Sequence, residues 1–145
     1  EEDQGFLDRL PGEEVLGELR EPRKNLHENA LLADGVIRHI FLTEGEDFDF
    51  PTKVLAAFPN FQDEYGHHTS HYAVAADRLI RPATEIDLYD GTDVWRKATL
   101  SPFLSRRVIR HHTKGGAPHA RVRIGKDFSE NYHTVEAFSA ALGDL

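Results

Sequence analysis

The chain has 145 residues, of which 39% are hydrophobic and 29% charged, and its formal net charge is −8 at pH 7. This length predicts a single domain, and the composition excludes both a membrane-embedded protein and a disordered chain. No apolar run approaches the ~20 residues that span a bilayer, and the acidic N-terminus does not resemble a signal peptide. We therefore expect no membrane partner, and the sequence leaves the compartment open. Cysteine is absent, which excludes disulfides, thiolate metal sites and a cysteine nucleophile.

The first part of the chain is predicted to be mainly helical. Residues 1–24 are predicted to form a helical segment, because apolar residues recur there at a rough helical spacing. Asp34-Gly35 lies between two apolar runs, which predicts a β-hairpin. The alternative is a helix that begins near Asn25 and ends at Gly35. Residues 51–58 predict a short helix with proline in its first turn.

The middle of the chain gives a weaker pattern. Residues 59–66 are predicted to be a loop, and residues 71–80 fit either a helix or a strand. Residues 84–89 alternate well enough to predict a strand, which ends at Asp90-Gly91.

Residues 94–126 form a basic region that we interpret as strand and hairpin structure. Residues 106–113 and 119–124 are strand-like and flank a Gly-Gly turn at residues 114–118, which predicts a β-hairpin. The second of these strands alternates apolar and basic side chains, so one face would pack on a core and the other would be basic.

The chain ends in a predicted helix that begins near Ser129, with an apolar stripe that includes Tyr132, Val135 and Phe138. These elements together predict an α+β fold in one compact domain. Helices lie near both ends, with a central antiparallel sheet between them.

The positive charge is concentrated in one stretch. Residues 96–126 contain nine lysines and arginines and no aspartate or glutamate. Such a local field recruits phosphates, a nucleic-acid backbone or an acidic partner. The alternative is that these cations pair with the acidic N-terminal part of the same chain.

Two sets of side chains in this region suit phosphodiester chemistry. Arginine binds two phosphate oxygens at once, and histidine exchanges protons near neutral pH. Metal-free RNA cleavage needs a base for the 2′-hydroxyl, an acid for the 5′-oxygen and cations for the developing charge. The candidate phosphate-binding residues are Arg106, Arg110, Arg121 and Arg123, and the candidate proton-transfer residues are His111, His119 and His133.

The region also resembles the barnase-like microbial ribonucleases over roughly residues 94–138. Trp95-Arg96-Lys97-Ala98 is similar to the family's Trp-Arg-Glu-Ala strand, and Asn131-Tyr132-His133-Thr134 with Phe138 is similar to its closing motif. The resemblance implies that Arg106 and Arg110 bind phosphate and that His133 is the acid. The family's general-base glutamate is Lys97 here, so Lys97, His111 or His119 would have to supply the base.

We therefore predict a small, cofactor-free nuclease, an RNase-type toxin domain that acts on RNA or another phosphate-bearing ligand. An acidic inhibitor or immunity protein would be a natural partner. The first alternative is a non-catalytic module that binds nucleic acid or an acidic protein through the basic hairpin. The second is a metal-binding protein that uses His67, His68 and His71, because His67 and His71 are four residues apart and would share one helix face.

Overall fold

The structure is a computed structural model that describes residues 5–8, 23–81, 83–102, 104 and 106–145. The predicted helical segment at residues 1–24 lies almost entirely outside these residues. By its internal contacts the chain divides into two compact units, residues 1–80 and residues 81–145. Among the described residues, no helix combines the length and apolar character needed to cross a bilayer.

The elements that the structure describes in the first unit are helices. Its elements are α1 (Leu26–Leu42), α2 (Asp49–Ala56), α3 (Phe61–Tyr65), a 3₁₀ helix (Gly66–Thr69) and α4 (Ser70–Ile80). A small apolar core joins α1, α2 and α4 through Ala33, Val54, Leu55 and Ala75. The helix predicted at residues 51–58 is confirmed as α2. The predicted loop at 59–66 contains α3, and residues 71–80 are helical.

Helix α1 runs straight through Asp34-Gly35, so the predicted hairpin is wrong. The alternative helix begins near Asn25 as predicted, but it does not end at Gly35. Asn25 caps the helix, because its side chain accepts hydrogen bonds from the amides of His27 and Glu28. The buried side chains follow a helical period on both sides of the pair: Leu26, Ala30, Ala33, Ile37 and Ile40. Burial of this stripe outweighs the weak helix propensity of one exposed glycine.

The second unit contains the sheet. Its elements are β1 (Thr84–Tyr89), α5 (Asp93–Leu100), β2 (Arg107–His112), β3 (His119–Ile124), β4 (Phe128–Tyr132) and α6 (Val135–Gly143). The strand order is β2-β1-β3-β4, with β1 parallel to β2 and antiparallel to β3. The α+β class is confirmed, with helices before the sheet and one helix after it. The sheet is mixed, which corrects the expectation that it is antiparallel throughout.

The predicted hairpin of residues 106–113 and 119–124 is also wrong, because β1 lies between its two strands. Each side of β1 pairs with a basic strand: Asp87 lies opposite Arg110 in β2 and opposite Arg121 in β3. Opposite charges on neighbouring strands stabilise this order.

The end of the chain forms a hairpin and a helix. Strand β3 pairs with β4 across a turn at residues 125–127, so residues 128–132 are a strand rather than the start of a helix. The helix begins after Thr134, whose hydroxyl accepts a hydrogen bond from the amide of Ala137.

One face of the sheet carries the core of this unit. Ile86, Leu88, Ala120 and Val122 pack with Trp95 and Ala98 of α5 and with Phe138 and Leu142 of α6. Because side chains alternate along a strand, the other face receives Glu85, Asp87 and Tyr89 of β1 and the side chains of β2 and β3 that lie opposite them.

Candidate functional site

The polar face of the sheet has three rows of side chains. The central row is Glu85, Asp87 and Tyr89 of β1, and the flanking rows, by register, are Val108, Arg110 and His112 of β2 and His119, Arg121 and Arg123 of β3. The face therefore combines acids, arginines and histidines within one continuous layer.

Asp87 is the centre of an ion-pair network. Its side chain is 0% exposed, and it accepts hydrogen bonds from Arg110 Nε at 2.6 Å and Arg121 Nη2 at 2.9 Å. Arg110 is 7% exposed and also contacts Glu85, with its Nη2 at 2.7 Å from Oε2. Arg123 Nη2 lies 3.2 Å from the same Glu85 oxygen.

This network decides the protonation of its acid. Burial by itself would raise the pKa of Asp87, but hydrogen bonds from Arg110, His112 and Arg121 outweigh it and hold the pKa well below its usual range. For Arg110, burial would lower the pKa, and the bonds to Asp87 and Glu85 outweigh it and raise the pKa. Both groups are therefore charged at neutral pH, and most of the positive charge on this face is neutralised within the chain.

Tyr89 organises the end of the same face. Its ring stacks against His112 and His119, with ring centroids 4.7 Å and 4.5 Å apart and planes within 16° and 8°. Lys114 Nζ lies 4.8 Å from the centroid of the Tyr89 ring, and the guanidinium carbon of Arg121 lies 5.9 Å from it. These distances are within the range of cation–π attraction, so two cations are held beside the histidines.

His119 and His133 form a pair at this end of the face. Their ring centroids are 5.7 Å apart. His119 Nδ1 lies 3.1 Å from the carbonyl oxygen of Ala117, and because a carbonyl can only accept, Nδ1 carries the hydrogen. In neutral His119 the lone pair is therefore on Nε2, which suits this atom to act as a base.

His112 has the opposite arrangement. Its Nε2 lies 3.1 Å from Asp87 Oδ1. Because Asp87 is ionised, it accepts this bond and Nε2 carries the hydrogen. His112 is thus fixed by a carboxylate on one ring atom and by Tyr89 on its ring face.

Asp90 fixes the loop that carries Lys114. This loop connects β2 to β3 past the end of β1, and the Asp90 carboxylate accepts hydrogen bonds from the amides of Lys114, Gly115 and Gly116 at 2.9–3.0 Å. The bonds from Gly116, Gly115 and Lys114 lower the pKa of Asp90. Asp90 also has a φ of 50°, a left-handed conformation that aspartate tolerates better than most residues.

The structure brings together some of the residues predicted from sequence and separates others. His119 and His133 lie at the same end of the polar face, and Arg121 is the next residue of β3 on that face, opposite Asp87. His111 points to the opposite face by strand alternation, and Lys97 lies on α5, which packs against that opposite face.

The remaining predicted arginines are placed differently. Arg110 and Arg123 belong to the Asp87–Glu85 network, so their charges are engaged inside the chain. Arg106 precedes β2, and its carbonyl accepts the amide of Thr84. Residues 95–98, which the ribonuclease resemblance aligns with a strand, are helical in α5.

The alternative histidine cluster lies in the first unit. His67 and His68 are in the 3₁₀ helix, and their side chains are outside what the structure describes. His71 is the second residue of α4, and among the described side chains it belongs to no group of three metal-ligating residues. Its ring contacts that of His27, with the centroids 4.4 Å apart.

Sequence reasoning missed the central row. Glu85 and Asp87 alternate on the strand predicted at residues 84–89, and two basic strands follow in the sequence. That charge complementarity was the available signal for placing β1 between them. The stacking of Tyr89 follows only from this strand order.

Comparison with known proteins supplies no relative. No protein-family model, curated protein or solved structure matches the chain.

Proposed function

We propose that the protein cleaves RNA without a metal ion, at a site formed by His119, His133, Lys114 and Arg121. The observation that carries this proposal is the histidine pair, with ring centroids 5.7 Å apart at one end of the polar face. Two proton-transfer groups at this separation can serve the two oxygens of one phosphodiester.

The two histidines take different roles. His119 Nε2, freed by the Nδ1 bond to Ala117, removes the proton from the 2′-hydroxyl. The 2′-oxygen forms a bond to phosphorus, and the bond from phosphorus to the 5′-oxygen breaks. Protonated His133 gives its proton to that 5′-oxygen. The products are a 2′,3′-cyclic phosphate and a 5′-hydroxyl, and the two histidines exchange protons with water before the next turnover.

The cations stabilise the charge that develops on the phosphoryl oxygens. Lys114 is exposed and lies over the Tyr89 ring, which also stacks on His119. Arg121 keeps Asp87 as a partner while its side chain stays 31% exposed, so one edge of it can also meet a phosphate. Arg110 and Arg123 act as supports that hold the strands rather than as phosphate ligands.

The ion-pair network weighs against a function based on charge alone. A non-catalytic module that binds RNA through a broad basic face needs uncompensated arginines, and three of the four candidate arginines are paired with Asp87 and Glu85. Membership of the barnase-like ribonuclease family stays a prediction. So does the existence of an acidic inhibitor or immunity protein as a partner.

The proposal is tested with an RNA oligonucleotide in EDTA. We expect cleavage to products that end in a 2′,3′-cyclic phosphate, and no cleavage of the matching DNA, which lacks the 2′-hydroxyl. His119→Ala and His133→Ala should each lower the rate by about 10²–10⁴-fold, the usual contribution of one acid or base.

His111→Ala is the matched control, because His111 is an exposed histidine on the opposite face, and its rate should equal that of the wild type. If the protein binds the RNA but leaves it intact, the non-catalytic binding module replaces the nuclease as the proposed function. Cleavage that survives both His119→Ala and His133→Ala would place the chemistry elsewhere.

A further inference from the structure

Four rings form one row across the end of the sheet. Tyr89 of β1 lies in register with His112 of β2 on one side and with His119 of β3 on the other. The ring of His133, which directly follows β4, lies beside that of His119. The planes of Tyr89 and its two neighbours are within 16° and 8° of parallel, so the tyrosine is held between two imidazoles.

The orientation of the His119 ring needs such a contact. Rotation about the bond that joins an imidazole to Cβ has broad energy minima, so the side chain by itself does not fix the plane of its ring. The hydrogen bond from Nδ1 to the Ala117 carbonyl, at 3.1 Å, is exposed, and an exposed bond competes with bonds to water. The stack on Tyr89, with centroids 4.5 Å apart, supplies the remaining constraint on the plane.

Tyr89 can hold His119 because Tyr89 is itself held. Only 9% of its surface is exposed, and His112 lies against its other side at a centroid distance of 4.7 Å. Nε2 of His112 lies 3.1 Å from Oδ1 of Asp87, whose side chain is 0% exposed. The buried ion-pair network therefore reaches the histidine pair through two intervening rings.

We propose that Tyr89 is a positioning residue, whose ring keeps His119 in the orientation in which Nδ1 donates to the backbone and Nε2 presents its lone pair. His112 supports the tyrosine from the other side. This inference rests on the proposed cleavage site, because it assigns the residues that prepare the base of that site. The orientation of His119 can be measured without RNA, so the two proposals can fail separately.

The test is nuclear magnetic resonance of the isotope-labelled full chain in mildly alkaline buffer. Correlations between ring nitrogens and carbon-bound hydrogens show which nitrogen of neutral His119 carries its hydrogen. We expect the Nδ1–H form in the wild type and in Tyr89→Phe, which keeps the ring. Tyr89→Leu removes the ring, so the imidazole should turn and give a mixture of both tautomers.

His112→Leu is a second test of the same contact. It removes the support of Tyr89 and should move His119 toward the same mixture of tautomers. Because the His112 side chain is 30% exposed, this variant keeps the test valid if Tyr89→Leu unfolds the sheet unit.

The variants are also assayed for RNA cleavage in EDTA. A displacement of about 1 Å can cost on the order of 10²-fold in rate, so Tyr89→Leu should lower kcat by about 10–100-fold and Tyr89→Phe should stay within about twofold of the wild type.

Two controls separate positioning from the other effects of losing the ring. Val122→Ala shortens a buried side chain on the core face of β3, so it should lower the stability of the sheet unit and leave the His119 tautomer unchanged. Lys114→Ala removes the cation that lies 4.8 Å from the centroid of the Tyr89 ring. It should slow cleavage and likewise leave the tautomer unchanged.

Retention of the Nδ1–H form in both Tyr89→Leu and His112→Leu would overturn the positioning role, even in a protein that cleaves RNA. An equal mixture of tautomers in Val122→Ala and Tyr89→Leu would also overturn it, because any loss of stability would then have the same effect. Conversely, a change of tautomer confined to Tyr89→Leu and His112→Leu, in a protein that leaves RNA intact, would support the ring contact and refute the cleavage proposal alone.

Discussion

Replacing Asp87 with asparagine tests the ion-pair network most sharply. Asp87 is 0% exposed and accepts hydrogen bonds from Arg110, Arg121 and His112. Asparagine keeps the shape of the side chain, but it loses the charge and turns one acceptor oxygen into a donor nitrogen. That nitrogen would face guanidinium donors, and Arg110, which is 7% exposed, would lose its nearest anion.

The expected cost follows from that geometry. Removing one partner of a buried ion pair destabilises a protein by about 3–5 kcal/mol. Glu85 stays bonded to Arg110 at 2.7 Å, so we expect a value near the lower limit, about 3 kcal/mol. With a urea slope of about 1–3 kcal/mol/M, the midpoint of unfolding should fall by about 1–3 M.

Urea unfolding followed by tryptophan fluorescence measures this effect. Trp95 is the only tryptophan of the chain and is buried in the core of the sheet unit, so its signal reports on the unit that contains Asp87. Asp127→Asn, an exposed aspartate in the β3–β4 turn, is the control and should change stability by less than about 0.5 kcal/mol. Equal stabilities for Asp87→Asn and the control would show that the network does not hold the strand order described above.

Three further predictions concern other parts of the molecule. Gly35→Ala should raise the thermal midpoint of the helical unit and increase its stability by about 0.5–1 kcal/mol. The reason is that Gly35 lies inside α1 with nothing within 4 Å of an added Cβ. A lower thermal midpoint, measured by circular dichroism, would restore the hairpin interpretation. Asp90→Ala should speed tryptic cleavage after Lys114, because three loop amides lose their acceptor. Asp90→Asn should have a smaller effect, because asparagine keeps one acceptor oxygen and tolerates the positive φ. Equal cleavage rates for Asp90→Ala and the wild type would contradict this role of Asp90. The difference in unfolding free energy between the wild type and Asp87→Asn should have its full value above about pH 4, the usual pKa of an unfolded aspartate. It should shrink as the pH falls below that value, because the pKa of Asp87 is lower in the folded protein and its contribution is lost on protonation. A difference that stays constant down to strongly acid pH would refute this assignment.

The elements that the sequence predicted well are those whose pattern is local. The strand at residues 84–89 and the helix at α2 have a clear period and clear end signals. The continuation of helix α1 beyond Gly35 was missed because Asp34-Gly35 is a strong local turn signal, and the burial of five side chains along the helix outweighed it.

The non-local features required the structure. A Gly-Gly turn between two strand-like segments predicts a hairpin whether or not a third strand enters between them. Pairing of Asp87 with arginines on both sides is a tertiary interaction, and it neutralises charge on strands that the sequence alone left as an open basic surface. His119 and His133 were named as candidates from sequence, but their proximity depends on the β3–β4 pairing, which placed β4 where a helix was expected.

The central proposal is that His119 and His133 act as one catalytic pair, and a double-mutant cycle on kcat/KM for RNA cleavage in EDTA tests it most directly. Residues that act as a unit have strongly non-additive effects. We predict that the His119→Ala/His133→Ala double variant is no more than about tenfold slower than the slower single variant. Losses that multiply across the two positions, or a wild-type protein that leaves RNA intact, would contradict it.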